Sequence, residues 1–194
     1  MIETIIILIL IIYIIIYNFR YKKLLKTVIA YNNISYVVND LPDAQQAANM
    51  LAKIMYNLNK LIDKIIDDKN KTEEDNNFIE YVYKIKERLP YVKISENPSN
   101  SNYTSYSVNK GEELVFCIRD NKKYNIHPLN ELLYVAIHEI AHIGCPEIGH
   151  GKLFQSINLY LLKKAINYNI YTYINYNKYN KNYCGMTLTS TIIE

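Results

Sequence analysis

The stretch HEIAHIGCPEIGHGKLF, residues 138–154, constrains the chain more than any other part of it. It holds three of the four histidines, and the first two stand four residues apart. On a helix, positions i and i+4 share a face, so the imidazoles of His138 and His142 can reach one ion. Glu139 lies about 100° further round the helix. That places it beside such an ion rather than on it, where a carboxylate can serve as general base toward water. A catalytic zinc generally takes three protein ligands and keeps one position open. His150 is the candidate third ligand, because Gly144, Pro146 and Gly149 break the helix and let the chain reverse ahead of the next one.

The other metal-binding residue types leave alternatives. Glu147 occupies the same loop as His150 and could take its place as third ligand. Cys145 and Cys184 can bind metals, although a free cysteine more often packs as a small hydrophobe. His127, immediately before Pro128, reads as a residue leading into a helix rather than as a ligand.

Around this motif the periodicities give an α+β order. After Pro42, apolar residues Ala47, Met50, Leu51, Ile54, Leu58, Leu61, Ile62 and Ile65 recur at helical spacing, as expected of an amphipathic helix with one buried face. Thr72 followed by Asp75 resembles a capping box and opens a second helix that ends before Pro90. The turn-forming ENPSNSN precedes a β-hairpin, YTSYSV and EELVFCIR, with Gly111 in its turn. Pro128 can begin the helix that carries His138 and His142, and Gly144 can end it with positive φ. A further helix fits residues 151–170, with Phe154, Ile157, Tyr160, Leu161 and Ala165 on one face. The tail from Tyr171 is rich in Tyr and Asn and β-biased.

The amino terminus reads differently. Residues 5–17 are unbroken apolar, and the run extends from Ile2 to Phe19 if Glu3 and Asn18 lie at interfaces, which meets the roughly 17–25 residues a bilayer asks for. No positively charged start or small-residue cleavage site marks a secretory signal. The expectation is an uncleaved transmembrane helix over 1–23, a juxtamembrane segment over 24–40 and the catalytic domain over 41–194. Arg20, Lys22, Lys23 and Lys26 follow the apolar run, which places the domain on the cytoplasmic side.

Composition adds limits. The 31 Ile, 24 Asn, 20 Tyr and 19 Lys against 3 Arg share A/T-rich codons, so abundant Asn and Tyr report the genome more than the function. The net charge of +3 is spread along the chain, giving no electrostatic footprint for nucleic acid. Cys117, Cys145 and Cys184, odd in number and far apart, suit reduced thiols better than a disulfide framework.

HEIAH followed by GHGKLF resembles the zincin metalloproteases of the WLM and SprT-like families, in which HExxH and a later histidine before a helix form the zinc site. YCGM, Tyr183 to Met186, together with CPEIGH, looks like the small WLM-type metallopeptidases encoded by large DNA viruses. The resemblance covers roughly Ser105 to Met186. It implies a minimal zincin-like α+β domain, zinc held by His138, His142 and His150, and Glu139 as base.

The activity expected from these readings is membrane-anchored, zinc-dependent hydrolysis of peptide bonds in a protein or peptide substrate. Zinc activates a water and polarises the carbonyl, while Glu139 carries the proton to the leaving amine. Tyr183 is a candidate oxyanion donor, and the strand EELVFCIR could offer an edge for an extended substrate. The rival from another class is a non-catalytic membrane-anchored structural protein, such as one of a virion, with a structural zinc. An intact Glu139 argues against it, since a structural site has no use for a base.

Overall fold

The computed structural model describes residues 2–101, 103–120 and 124–188, with the side chains of 2–3 and 17–23 also outside the description. The last six residues of the expected domain, 189–194, therefore lie outside the described residues. Helix α1 spans Ile2–Lys23 and is followed by strands β1, Leu25–Ile29, and β2, Ser35–Asn39. Helices α2, Ala44–Asp67, and α3, Glu73–Arg88, lead through a 3-10 turn at Leu89–Tyr91 to β3, Lys93–Glu96. Strands β4, Tyr106–Val108, and β5, Glu113–Phe116, precede helices α4, Leu129–Gly144, and α5, Lys152–Asn167. A small hairpin of β6, Lys181–Tyr183, and β7, Met186–Leu188, completes the order. The α+β class expected from the sequence is what the chain adopts.

The transmembrane anchor is corrected. Among the described residues no helix is long and apolar enough to cross a membrane. Residues 2–23 are helical as expected. With the anchor goes the argument that set the domain on the cytoplasmic side of a membrane. Of the cations behind that argument, Arg20, Lys22 and Lys23 lie outside the described side chains, whereas Lys26 pairs with Asp40 at 2.7 Å.

The stretch expected as a juxtamembrane spacer holds β1 and β2, which join the main sheet. That sheet has the order β1-β2-β3-β5-β4. The β1–β2 and β4–β5 pairs are antiparallel, while β3 runs parallel to both β2 and β5. Strand β5, expected as a possible edge, is thus interior, and β4 is the edge. The reason is topological: α2 and α3 intervene between β2 and β3 and return the chain parallel, so β3 covers the far side of β5.

Helix α2 organises the core. Leu51, Ile54, Leu58, Leu61 and Ile62 are fully buried, each contributing about 1.5–3 kcal/mol relative to an exposed side chain. The helix lies against β2 and packs on α3 and α4. The Thr72–Asp75 capping box is present, with the Thr72 hydroxyl accepting from the Asp75 N–H and the Asp75 carboxylate from the Thr72 N–H. Where the sheet meets the start of α2, buried Arg119 donates to Glu96 at 2.6 Å and also pairs with Asp43. The second Glu96 oxygen accepts the Asn39 N–H at 2.8 Å, so β2, β3 and the segment after β5 share one charged knot.

The cysteine expectation is also corrected. Cys117 and Cys184 form a disulfide across 67 residues of sequence, and Cys145 is the free cysteine, fully buried. The bond fastens the β6–β7 hairpin to the end of β5, giving the Tyr/Asn-rich tail a fixed place.

Candidate metal centre

Helix α4 presents His138 and His142 one turn apart, as the spacing requires, with Glu139 between them and 5% exposed. The helix ends at Gly144, but not through the positive φ expected there; the positive φ is at Gly149, 83°. Gly144 is needed for another reason. A Cβ on it would lie 3.0 Å from the Tyr81 carbonyl oxygen and 3.1 Å from Ile85, so only glycine lets α3 come this close.

From Gly144 the chain turns through Cys145, Pro146 and Gly149 and brings His150 back over α4. Lys110, in the β4–β5 turn, donates from Nζ to the Pro146 carbonyl and to that of Cys145 at 3.3 Å, pinning the loop. The result is a convergence of three nitrogens. Nε2 of His150 lies 3.1 Å from Nε2 of His138 and 3.1 Å from Nε2 of His142, and one donor atom from each of the three residues falls within 4.8 Å of the others.

This donor set fits a metal ion. Zn–N bonds of about 2.0–2.1 Å in tetrahedral array place the nitrogens about 3.4 Å apart, close to the separations found. The charge state agrees. Burial, with the neighbouring His142 and His150, pulls His138 down to about 4, and burial with His150 and Lys110 does the same for His142. Both imidazoles are therefore neutral at pH 7 and can donate lone pairs. Burial pushes Glu139 up to about 7. A bound cation would favour its charged form and oppose that shift.

Phe154, fully buried at the start of α5, forms the floor. Its ring stacks on His142 and meets His138 and His150 edge-on. A cavity of about 980 Å³ opens over the cluster, walled by Glu139, Tyr134, Tyr183, Met186 and the β4 residues Tyr106 and Ser107.

The remaining candidates fall elsewhere. Glu147 borders the same cavity, yet it is not in the nitrogen cluster and its carboxylate lies over Gly151. Cys145 packs in the core. His127 is buried, with Nδ1 3.5 Å from the Glu131 carboxylate and Nε2 3.8 Å from Cys184 Sγ. Tyr183 does reach the cavity wall. Its hydroxyl shares a 2.6 Å hydrogen bond with Ser105 Oγ, which accepts the Cys117 N–H at 3.0 Å. Burial, and to a lesser degree Glu139, raises the Tyr183 phenol well above its ordinary value, although its bond to Ser105 works the other way.

Sequence reasoning passed over two residues of the site, Lys110 and Asn158. Asn158 carried a signal, since it lies four residues after Phe154 on the apolar face of α5 and is 1% exposed. A polar side chain there asks for a partner.

No protein-family model matches the chain. It is 35% identical over 162 residues to the uncharacterized protein R325 of Acanthamoeba polyphaga mimivirus, covering 84% of this chain and 81% of that one. The chain belongs to the family of that mimivirus protein. The uncharacterized protein 136R of Invertebrate iridescent virus 6 is 28% identical over 156 residues, 79% of this chain and 83% of its own length. Both relatives are viral proteins, as the resemblance of the motif implied. Among solved structures, Wss1 from Saccharomyces cerevisiae aligns with a TM-score of 0.48 at 17% identity, over 68% of this chain and 88% of that one. A likeness of that degree does not establish a shared fold.

Proposed function

We propose that the protein is a zinc-dependent metalloendopeptidase that hydrolyses peptide bonds in a protein or peptide substrate. The observation that carries the proposal is the convergence of three imidazole nitrogens beside a buried carboxylate on the wall of an open cavity. The HExxH order, the third histidine after a reversing loop, and the resemblance to WLM and SprT-like zincins support the same reading. His138, His142 and His150 would hold the ion. Zinc bound there would supply Lewis acidity, activating water near neutral pH and polarising the scissile carbonyl.

The chain's own residues supply the rest. Glu139 takes a proton from the attacking water and delivers it to the leaving amine, so one carboxylate serves first as base and then as acid. Tyr183, on the cavity wall and held by Ser105, is the candidate donor to the developing oxyanion. Edge strand β4 runs along the same cavity, so an extended substrate can add to it as a strand and be held through its main chain. This edge replaces the one expected from β5.

The test uses the full chain. Bound zinc is measured, and cleavage of an unstructured protein is compared between wild type and Glu139→Gln. Stoichiometric zinc in both with cleavage only by wild type is the expected result. Zinc in both with equal background cleavage would sink the enzyme reading and leave a structural zinc protein.

A further inference from the structure

Asn158 has an unexplained polar atom. It sits on α5 with 1% of its surface exposed, and its Oδ1 has no hydrogen-bond partner. Its Nδ2 lies 3.4 Å from Nδ1 of His138. Leaving a buried acceptor unsatisfied costs about 1–3 kcal/mol, so the arrangement asks what Oδ1 is for.

The proton inventory of His138 answers. Its Nε2 points at the nitrogen cluster, 3.1 Å from Nε2 of His150. A histidine that donates the Nε2 lone pair to a metal must carry its proton on Nδ1. That N–H then faces the Asn158 amide, where an NH2 group would set donor against donor. The oxygen and nitrogen of a carboxamide are interchanged by a half-turn of its terminal torsion, with almost no change in shape. After that turn Oδ1 accepts the Nδ1 proton, which gives the oxygen a donor.

We infer that Asn158 is a positioning residue for the metal centre: its Oδ1 accepts the Nδ1 proton of His138, fixing the tautomer that presents Nε2 to the ion. The inference rests on the metal reading above. It adds a partner that the HExxH motif does not contain, supplied by the helix that also brings Phe154. Such partners orient the imidazole and raise its basicity.

The test measures zinc affinity by chelator competition for wild type, Asn158→Leu and Asn158→Asp. Asn158→Leu should bind zinc about 10–100-fold more weakly, the range for loss of a histidine's outer partner. Asn158→Asp keeps an acceptor and should bind at least as tightly as wild type. Thermal unfolding of the metal-free proteins separates a packing defect from a loss of affinity. Equal affinity in wild type and Asn158→Leu overturns the inference, as does an Asp variant as weak as Leu. A wild type that binds no zinc overturns the metal reading itself and this inference with it. If Asn158→Leu fails to fold, nitrogen-coupled NMR of the zinc-loaded wild type decides: the His138 Nδ1 proton should be downfield and slow to exchange, and a proton on Nε2 instead would refute the assignment.

Discussion

Phe154 stacks on His142 with ring centroids 4.1 Å apart and planes 25° from parallel. The same ring closes edge-on against His138 and His150, so one apolar side chain fixes the orientation of all three candidate ligands. Aromatic pairs of this kind contribute about 0.5–1.5 kcal/mol beyond the area they bury. Phe154→Leu keeps the site apolar but removes those ring contacts. The urea midpoint of the metal-free protein should fall, and zinc should dissociate several-fold more readily, as read by chelator competition. An unchanged zinc affinity would show that the loop alone positions the histidines.

Asp75 ties the capping box of α3 to α5. Besides Thr72, the carboxylate, itself 1% exposed, accepts from the Tyr160 hydroxyl at 2.8 Å and pairs with Lys164 at 2.5 Å. Burial raises its pKa, but Lys164 and the hydrogen bonds from Thr72 and Tyr160 outweigh burial and hold it well below the ordinary 3.8. A carboxylate depressed in the folded state contributes stability above its unfolded pKa and loses it as pH falls toward the folded one. Asp75→Asn leaves Lys164 uncompensated and should cost about 3 kcal/mol at pH 7. The gap between wild type and variant in urea unfolding should narrow steadily below about pH 4.

How far the sequence could be read follows from how local each signal is. His138, Glu139 and His142 owe their arrangement to helical spacing alone, and the Thr72–Asp75 box to a span of three residues, so both are legible without the fold. Asp75 also meets Tyr160, 85 residues away, and no local pattern announces that. Cys117 and Cys184 looked unpaired because sequence gives only their separation, whereas the sheet and the tail hairpin bring them together. The segment 24–40 was overshadowed by the apolar run before it, although Leu25–Ile29 and Ser35–Asn39 pair as an antiparallel hairpin. Asn158 is hidden by its own helix, whose periodicity marks only the apolar residues around it.

The Cys117–Cys184 disulfide holds Tyr183 and the β6–β7 hairpin against the cavity. Replacing both cysteines by serine should lower stability by about 2–4 kcal/mol, measured by urea unfolding against wild type with and without reductant. Reduced wild type should match the double variant. Zinc affinity should hold, because the three histidines lie on α4 and its following loop. Limited trypsin digestion should find Lys181, now paired with Glu131 at 3.0 Å, cut faster in the double variant. Equal digestion rates would mean that packing alone secures the hairpin.

Gly111 combines two demands in the turn before β5. Its φ is 101°, and a Cβ built on it would lie 2.8 Å from Cδ1 and 2.9 Å from Cγ1 of Ile143, at the end of the helix that bears the histidines. Gly111→Ala should therefore destabilise by about 1–3 kcal/mol, through backbone strain and overpacking together. Ile143→Val removes the nearest atom and alone should cost about 0.5–1.5 kcal/mol. The two changes together should cost less than their sum, by about 0.5 kcal/mol or more, since the nearest contact is removed while the one with Cγ1 and the strained φ remain. Strict additivity in a double-mutant cycle would mean that Ile143 yields freely and that the backbone conformation alone requires glycine.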